Sequence, residues 1–198
     1  MTRRARVAVL LSGSGRTLEN FLRHQARGEL PVEFVGVVSS RGDVRGVTVA
    51  HEAGLPVTVI RRRDHPDPAA HNQAIADWLE PRDPEIIALA GYLCYFIRPA
   101  WFTGPVVNIH PALLPRHGGQ GMYGDRVHRA VLAAGDRESG CTVHHVDDRY
   151  DHGAIIAQQR VPVRPDDDVD TLAGRVFAAE CELYPRILAE LAREITAT

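Results

Sequence analysis

Val7-Ala8-Val9-Leu10-Leu11-Ser12-Gly13-Ser14-Gly15-Arg16-Thr17 sets the reading of the whole chain. Five consecutive apolar residues without alternation describe a strand covered on both faces, and such strands belong to parallel sheets. The Ser/Gly turn leads into Thr17–Arg27, where Leu18, Phe21 and Leu22 recur at helical spacing until Gly28. The alternation then repeats. Strands are expected at Val32–Val38, Val57–Ile60, Glu85–Ala90 and Val106–Ile109, with helices at Arg45–Ala53 and Pro68–Leu79, the latter turning Ala70, Ile75, Trp78 and Leu79 inward. This rhythm implies an α/β fold: a Rossmann-like, mostly parallel sheet with helices on both faces. After His110 the rhythm breaks. Residues 111–124 hold two prolines and four glycines, more than a simple connector needs, and such loops are functional or mobile. A helix resumes over Asp125–Ala134. Cys141–Val146 and Ala154–Val163 read as a C-terminal strand extension of the sheet, joined at Asp147–Gly153, and Asp168–Glu194 as a long C-terminal helix. With no repeat or linker, the 198 residues are expected to form a single domain, residues 1–198, with halves of about 1–100 and about 101–198.

Composition excludes several classes of function. Hydrophobic residues at 44% and charged residues at 24% support a packed core rather than disorder. A net charge of −2 and a pI near 6.5 leave no basic footprint for nucleic acid. No apolar run reaches the roughly 20 residues a membrane span needs. Arg3, Arg4 and Arg6 resemble the start of a secretion signal, but Val7–Leu11 is too short to complete one, so a cytoplasmic protein is expected. Cys94, Cys141 and Cys181 lie far apart with no Cys-x-x-Cys spacing, which reads as small buried hydrophobes and not as a disulfide frame or zinc site. All 23 cationic residues are arginine. Without lysine there is no Schiff base and no phosphate-loop lysine, which removes pyridoxal chemistry and the common ATP-driven designs.

Three constellations could carry chemistry. Gly13, Ser14, Gly15, Arg16 and Thr17 lie between a strand and a helix, where backbone N–H groups and the helix dipole suit an anion. Leu18 occupies the place of the third glycine of a dinucleotide fingerprint, and no acidic residue ends the second strand, so a single phosphate is the better ligand. The plain alternative is a βα turn capped by Thr17. Next, Asn108 and His110 alternate on one face at the carboxyl end of the fifth strand, the edge where open α/β sheets bind ligands. A carboxamide N–H aimed at an oxyanion beside an imidazole able to move a proton suits attack on a carbonyl. The alternative is a buried Asn and His that satisfy each other. Finally, Asp151, in Tyr150-Asp151-His152-Gly153 after Asp147 and Asp148, could supply a carboxylate to His110. An Asp/Gly-rich turn is otherwise only a turn. His144 and His145 share a strand, one facing in and one out, while His117 and His128 flank the Gly-rich loop and are expected to face solvent.

Together, Ser12–Gly15, Leu89-Ala90-Gly91-Tyr92, Asn108-Ile109-His110-Pro111-Ala112-Leu113-Leu114-Pro115 and Gly140-Cys141-Thr142-Val143-His144 with Asp151–Ile156 resemble the glycinamide ribonucleotide formyltransferase family of folate-dependent enzymes. The likeness runs from about Val7 to Leu188, and the Gly118–Gly124 loop and compact length favour this member of the superfamily. The resemblance implies transfer of the formyl group of 10-formyltetrahydrofolate to the amine of glycinamide ribonucleotide in purine biosynthesis. It assigns oxyanion stabilisation to Asn108, charge stabilisation and proton transfer to His110, and the holding of His110 to Asp151. Gly13–Thr17 would take the phosphate and Glu180 the ribose hydroxyls. Tyr92, Leu93, Cys94, Val146, Asp147 and Asp148 would line the pterin slot. No metal is implied, the partners are small molecules and not nucleic acid or membrane, and the state is monomer or homodimer. Thr17 stands where many relatives have asparagine, and Cys94, Phe177 and Pro68 stand where some have arginine, glutamine and arginine. Two other functions remain open: formylation of a different amine, such as an amino sugar, or a nucleotide-binding module without catalysis. Sugar and transfer-RNA formyltransferases usually carry a further C-terminal domain and the deformylating cousin an N-terminal one, which this chain is expected to lack.

Overall fold

The computed structural model describes residues 3–197. Among these described residues, seven strands and five α helices form an α/β fold with a mostly parallel sheet. In chain order they are β1 (Ala5–Leu11), α1 (Arg16–Ala26), β2 (Val32–Ser39), α2 (Arg45–Glu52), β3 (Val57–Val59), α3 (Pro68–Leu79), β4 (Ile86–Leu89), β5 (Val106–His110), α4 (Asp125–Ala133), β6 (Glu138–His145), β7 (Ile155–Pro162) and α5 (Val169–Ala197). Each element expected from periodicity is present. Two single-turn 3-10 helices, Arg62–Asp64 and Glu80–Arg82, were not expected, being too short to show a period.

The described residues group into two compact units: those through Val107 with those from Leu188 onward, and Asn108–Ile187. In the first unit the strand order is β3-β2-β1-β4, all parallel. β1 lies between two neighbours, which is why its sequence is apolar throughout; Val7, Ala8, Val9, Leu10 and Leu11 are fully buried. Asp67 caps α3 by accepting the Ala70 amide at 2.8 Å. The buried face of α3 differs from the expected one: Ala70 and Trp78 are only half-buried, whereas the polar His71 and Asn72 are buried. Asn72 is tolerated there because its Nδ2 donates to Pro68 and Tyr95 carbonyls, and its Oδ1 accepts the Ile97 amide at 2.8 Å. One side chain thus staples the segment after β4 to the helix.

In the second unit β6 and β7 pair antiparallel, from Glu138 opposite Pro162 to His144 opposite Ile155. This hairpin is the expected strand extension, begun three residues earlier than Cys141 because Glu138, Ser139 and Gly140 pair through backbone groups. A Cβ at Gly140 would collide with the Gln159 carbonyl, so the strands meet closely there. α4 buries Val127, His128 and Val131. α5 buries Leu172, Val176, Leu183 and Tyr184 and runs through Pro185.

Candidate active site

β5 ends on Asn108 and His110, two residues apart on the strand, with the second unit beginning at Asn108. His110 is 3% exposed, with one ring nitrogen hydrogen-bonded and the other facing a carboxylate. Its Nε2–H donates to the His117 carbonyl at 2.8 Å, which leaves the lone pair on Nδ1, 3.4 Å from Asp151 Oδ2. Burial pushes the imidazole below the ordinary histidine value, against the opposing pull of the Asp151 charge and the His117 carbonyl. Asp151 is fixed in turn by the Gly119 amide, which donates to Oδ2 at 2.9 Å. Burial resists its ionisation, but His144, His110 and the Gly119 amide together outweigh that and hold the carboxyl below its usual range. Asp151 adopts φ 56°, a left-handed conformation uncommon outside glycine and frequent at functional sites. The turn is set next to Gly153, where a Cβ would strike the His145 carbonyl.

Asn108 and His110 do not satisfy each other. The Asn108 amide meets His144 Nε2 at 3.1 Å. His144 Nδ1 bonds the His145 carbonyl at 2.8 Å, so Nδ1 carries the proton and Nε2 accepts from Asn108 Nδ2. That bond sets which end of the carboxamide is nitrogen, and a second N–H on the same atom remains to serve a developing oxyanion. His144 also stands 3.6 Å from Asp151 Oδ1. The four side chains form one polar cluster on β5, β6 and the turn after β6. Strand alternation does place His144 inward and His145 outward, but sequence reasoning gave His144 little weight. Its position two residues after the inward Thr142 was the available signal.

The other residues of this unit divide. His117 and His128, expected in solvent, are not there: His117 Nε2 lies 2.7 Å from Asp136 Oδ2, and His128 is 5% exposed within α4. Burial pushes His128 below the ordinary value. Asp147 behaves as a turn former, accepting the Arg149 amide at 2.9 Å and lying 3.3 Å from His152. Val146 is half-buried and Asp148 exposed on the same turn, and Glu180 and Phe177 are half-buried on α5.

In the first unit, Ser12 joins the carboxyl ends of three strands. Its amide donates to the Gly91 carbonyl at 3.1 Å, while its Oγ accepts the Leu93 amide at 2.9 Å and the Ser40 hydroxyl at 2.6 Å. The N-cap of α1 is Gly15, at φ 73°, with no side-chain cap; Thr17 does not cap the helix as the plain alternative required. The amides of the first turn are thereby without a side-chain cap, an arrangement that suits an anion. Gly13 and Ser14 precede the cap, Arg16 is exposed and Thr17 half-buried. A Cβ on Gly15 would come within 2.5 Å of Gly46 Cα, so the loop packs directly on α2. Glu19, which would repel an anion from the first turn, is engaged by both terminal nitrogens of Arg45 at 2.9 and 3.0 Å. After β4, Tyr92 is buried, Leu93 is 40% exposed and Cys94 half-buried.

An Asn-x-His pair ending a strand of an α/β fold, with a carboxylate beside the imidazole, is an arrangement suited to group transfer at a carbonyl. The formyl transferase family profile matches residues 5–188, and the chain belongs to that family. It is 33% identical over 186 residues to the phosphoribosylglycinamide formyltransferase of Haemophilus influenzae, covering 92% of this chain and 85% of that protein. It is 40% identical over 195 residues to the trifunctional purine biosynthetic protein adenosine-3 of Drosophila melanogaster, covering 96% of this chain but 14% of that longer protein. Among solved structures, glycinamide ribonucleotide transformylase 1 of Symbiobacterium toebii superimposes with a TM-score of 0.89 at 33% identity, over 96% of this chain and 88% of that one. No helix among the described residues is long and apolar enough to cross a membrane.

Proposed function

We propose that the protein transfers the formyl group of 10-formyltetrahydrofolate to the primary amine of glycinamide ribonucleotide in de novo purine biosynthesis. The observation that carries this reading is the polar cluster itself: an amide oriented by His144 and an imidazole placed 3.4 Å from a carboxylate. The family and the names of its relatives support the choice of donor and acceptor.

In this reading the acceptor nitrogen attacks the formyl carbon, and the carbonyl oxygen becomes an oxyanion that takes a hydrogen bond from the second Asn108 N–H. Attack leaves the nitrogen with a surplus proton. His110 Nδ1, unprotonated and beside Asp151, takes that proton, and the carboxylate stabilises the imidazolium. The proton then passes to N10 of the folate as the carbon–N10 bond breaks, so N10 leaves as a neutral amine of tetrahydrofolate and the formylated amine remains. This chemistry uses no metal and no covalent enzyme intermediate. The ribonucleotide phosphate is assigned to Gly13, Ser14, Gly15, Arg16 and Thr17, the ribose hydroxyls to Glu180, and the folate to Tyr92, Leu93, Cys94, Val146, Asp147 and Asp148. The whole chain acts as one formyltransferase domain in the cytoplasm, as monomer or homodimer.

The test is a competition assay: 10-formyltetrahydrofolate with glycinamide ribonucleotide against amino sugars, following tetrahydrofolate release. Asn108→Ala and His110→Ala are each expected to abolish turnover while the protein stays folded. Full activity in the double variant, or formylation of another amine alone, refutes the assignment.

A further inference from the structure

We propose that Asp136 is a positioning residue for His110, acting through the backbone of His117. The proposal rests on the formyl-transfer reading, since it concerns the imidazole that reading uses. His110 depends on one main-chain atom, the His117 carbonyl, which receives its Nε2–H at 2.8 Å. His117 holds that carbonyl in a left-handed conformation, φ 55°, which a non-glycine residue keeps only when its surroundings impose it.

What imposes it is the far side of the same residue. The His117 ring is 2.7 Å from Asp136 Oδ2, and Arg116 binds Oδ1 of the same carboxylate. The Asp136 side chain is 8% exposed and the His117 side chain 15%, so their bond is largely shielded from water, whereas Arg116, 65% exposed, closes the outer side of the carboxylate. Asp136 follows α4 after a left-handed Gly135, and its own amide reaches back to the Val131 carbonyl at 3.4 Å, which ties the anchor to the helix end. The hydrogen bond from His117, and after it the charge of Arg116, keep the carboxyl ionised below its usual range despite burial.

The segment so anchored also serves the catalytic carboxylate. Two residues beyond His117, the Gly119 amide donates to Asp151 at 2.9 Å. Between them, a Cβ on Gly118 would come within 2.5 Å of Leu114 Cδ2 and 3.3 Å of Asp151 Cβ, so the turn has little room to shift. One four-residue turn, Arg116–Gly119, thus contacts His110 and Asp151 together and is fixed from outside by Asp136. The other titratable groups that act on His110 are His144 and His128.

Asp136→Asn keeps the shape and removes the charge. His117→Asn keeps a left-handed-tolerant residue and the carbonyl but removes the ring. In the full chain each is expected to lower kcat about tenfold with both KM values within about twofold, because a displaced catalytic group costs rate rather than affinity. The double variant is expected to match either single one, as it must if the two lie on one path. Nitrogen-15 histidine spectra give a reading independent of turnover: His110 is expected as the Nε2–H tautomer in the parent and as a tautomer mixture in both variants. Thermal melts confirm that each variant is folded. Losses that multiply in the double variant, or an unchanged kcat with an unchanged His110 spectrum, overturn the proposal. A parent chain with no formyl transfer refutes the functional reading alone, and the spectra still decide the role of Asp136.

Discussion

In the proposed reaction, Asn108 and His110 depend on partners that are not themselves reactive. The amide of Asn108 can turn its nitrogen or its oxygen toward a substrate, and the bond to His144 Nε2 at 3.1 Å selects nitrogen. His144→Phe fills the buried space and removes the acceptor. It is expected to lower kcat about 100-fold, the cost of a misdirected oxyanion donor, with little change in the KM of the folate; a kcat within threefold of the parent would show that Asn108 needs no such help. As the proposed proton acceptor, His110 is expected to set the acid side of the pH profile. Burial lowers its value, so the neutral imidazole that accepts the proton persists below the ordinary 6.5, and kcat/KM is expected to hold until the pH falls beneath that point. Asp151 pulls the other way, raising His110. Asp151→Asn is therefore expected to move the acid limb to still lower pH while reducing the rate, which a pH–rate profile of both proteins reads directly. Asn108 and His110 were legible because their side-chain types match the chemistry and they alternate on one strand, whereas Asp151, far along the chain, was tied to His110 only by the family resemblance. His144 was not, because alternation along a strand says which side chain faces inward and not what it will meet. The contribution of His117 comes from a carbonyl, which every residue type possesses.

At the level of elements, the apolar period located every strand and α helix of the described residues but neither 3-10 turn, since β1 is buried on both faces and the α helices on one. What periodicity could not show was how closely those elements approach. The turn before α1 meets α2 through two glycines, and the Gly46 amide donates to the Gly13 carbonyl at 3.1 Å. A Cβ on Gly46 would sit 2.7 Å from Leu11 Cδ1 and 2.8 Å from the Gly13 carbonyl. The leucine can rotate, but the carbonyl can move only with the loop. Gly46→Ala is thus expected to cost about 1–3 kcal/mol of stability, the usual range for overpacking, and to raise the KM for the phosphorylated acceptor more than it lowers kcat. Chemical denaturation and steady-state kinetics check the two parts, and an unchanged KM would separate this loop from phosphate binding. Thr17 illustrates the same blind spot. A threonine after a Ser/Gly turn signals a cap from sequence alone, yet the cap falls on Gly15, whose left-handed backbone begins the helix earlier.

For the whole molecule, buried histidines decide how stability responds to acid. His71 in the first unit and His110 and His128 in the second are all buried, and burial pushes each below the ordinary value of 6.5. A histidine that protonates more readily when unfolded binds more protons in that state, so stability must fall as pH drops below 6.5 toward the depressed values. Carboxylates act lower: Asp136, Asp151 and Asp167 are all held beneath the ordinary 3.8, and what they contribute is lost only as pH falls through that region. Acid unfolding is therefore expected to begin with the histidines, well before any carboxylate titrates. Each histidine fully released adds up to about 1.4 kcal/mol per pH unit to the slope of stability against pH. His71 offers a clean test because its ring bonds only the Ile60 carbonyl, at 3.1 Å, and its other nitrogen has no partner among the described residues. His71→Met removes the titrating group from the first unit and leaves Asn108, His110, His144 and Asp151 unchanged. Urea unfolding at a series of pH values between 7 and 5 is expected to give a shallower fall for this variant than for the parent, with formyl transfer retained. A slope identical to the parent's would mean that burial of His71 does not govern its proton.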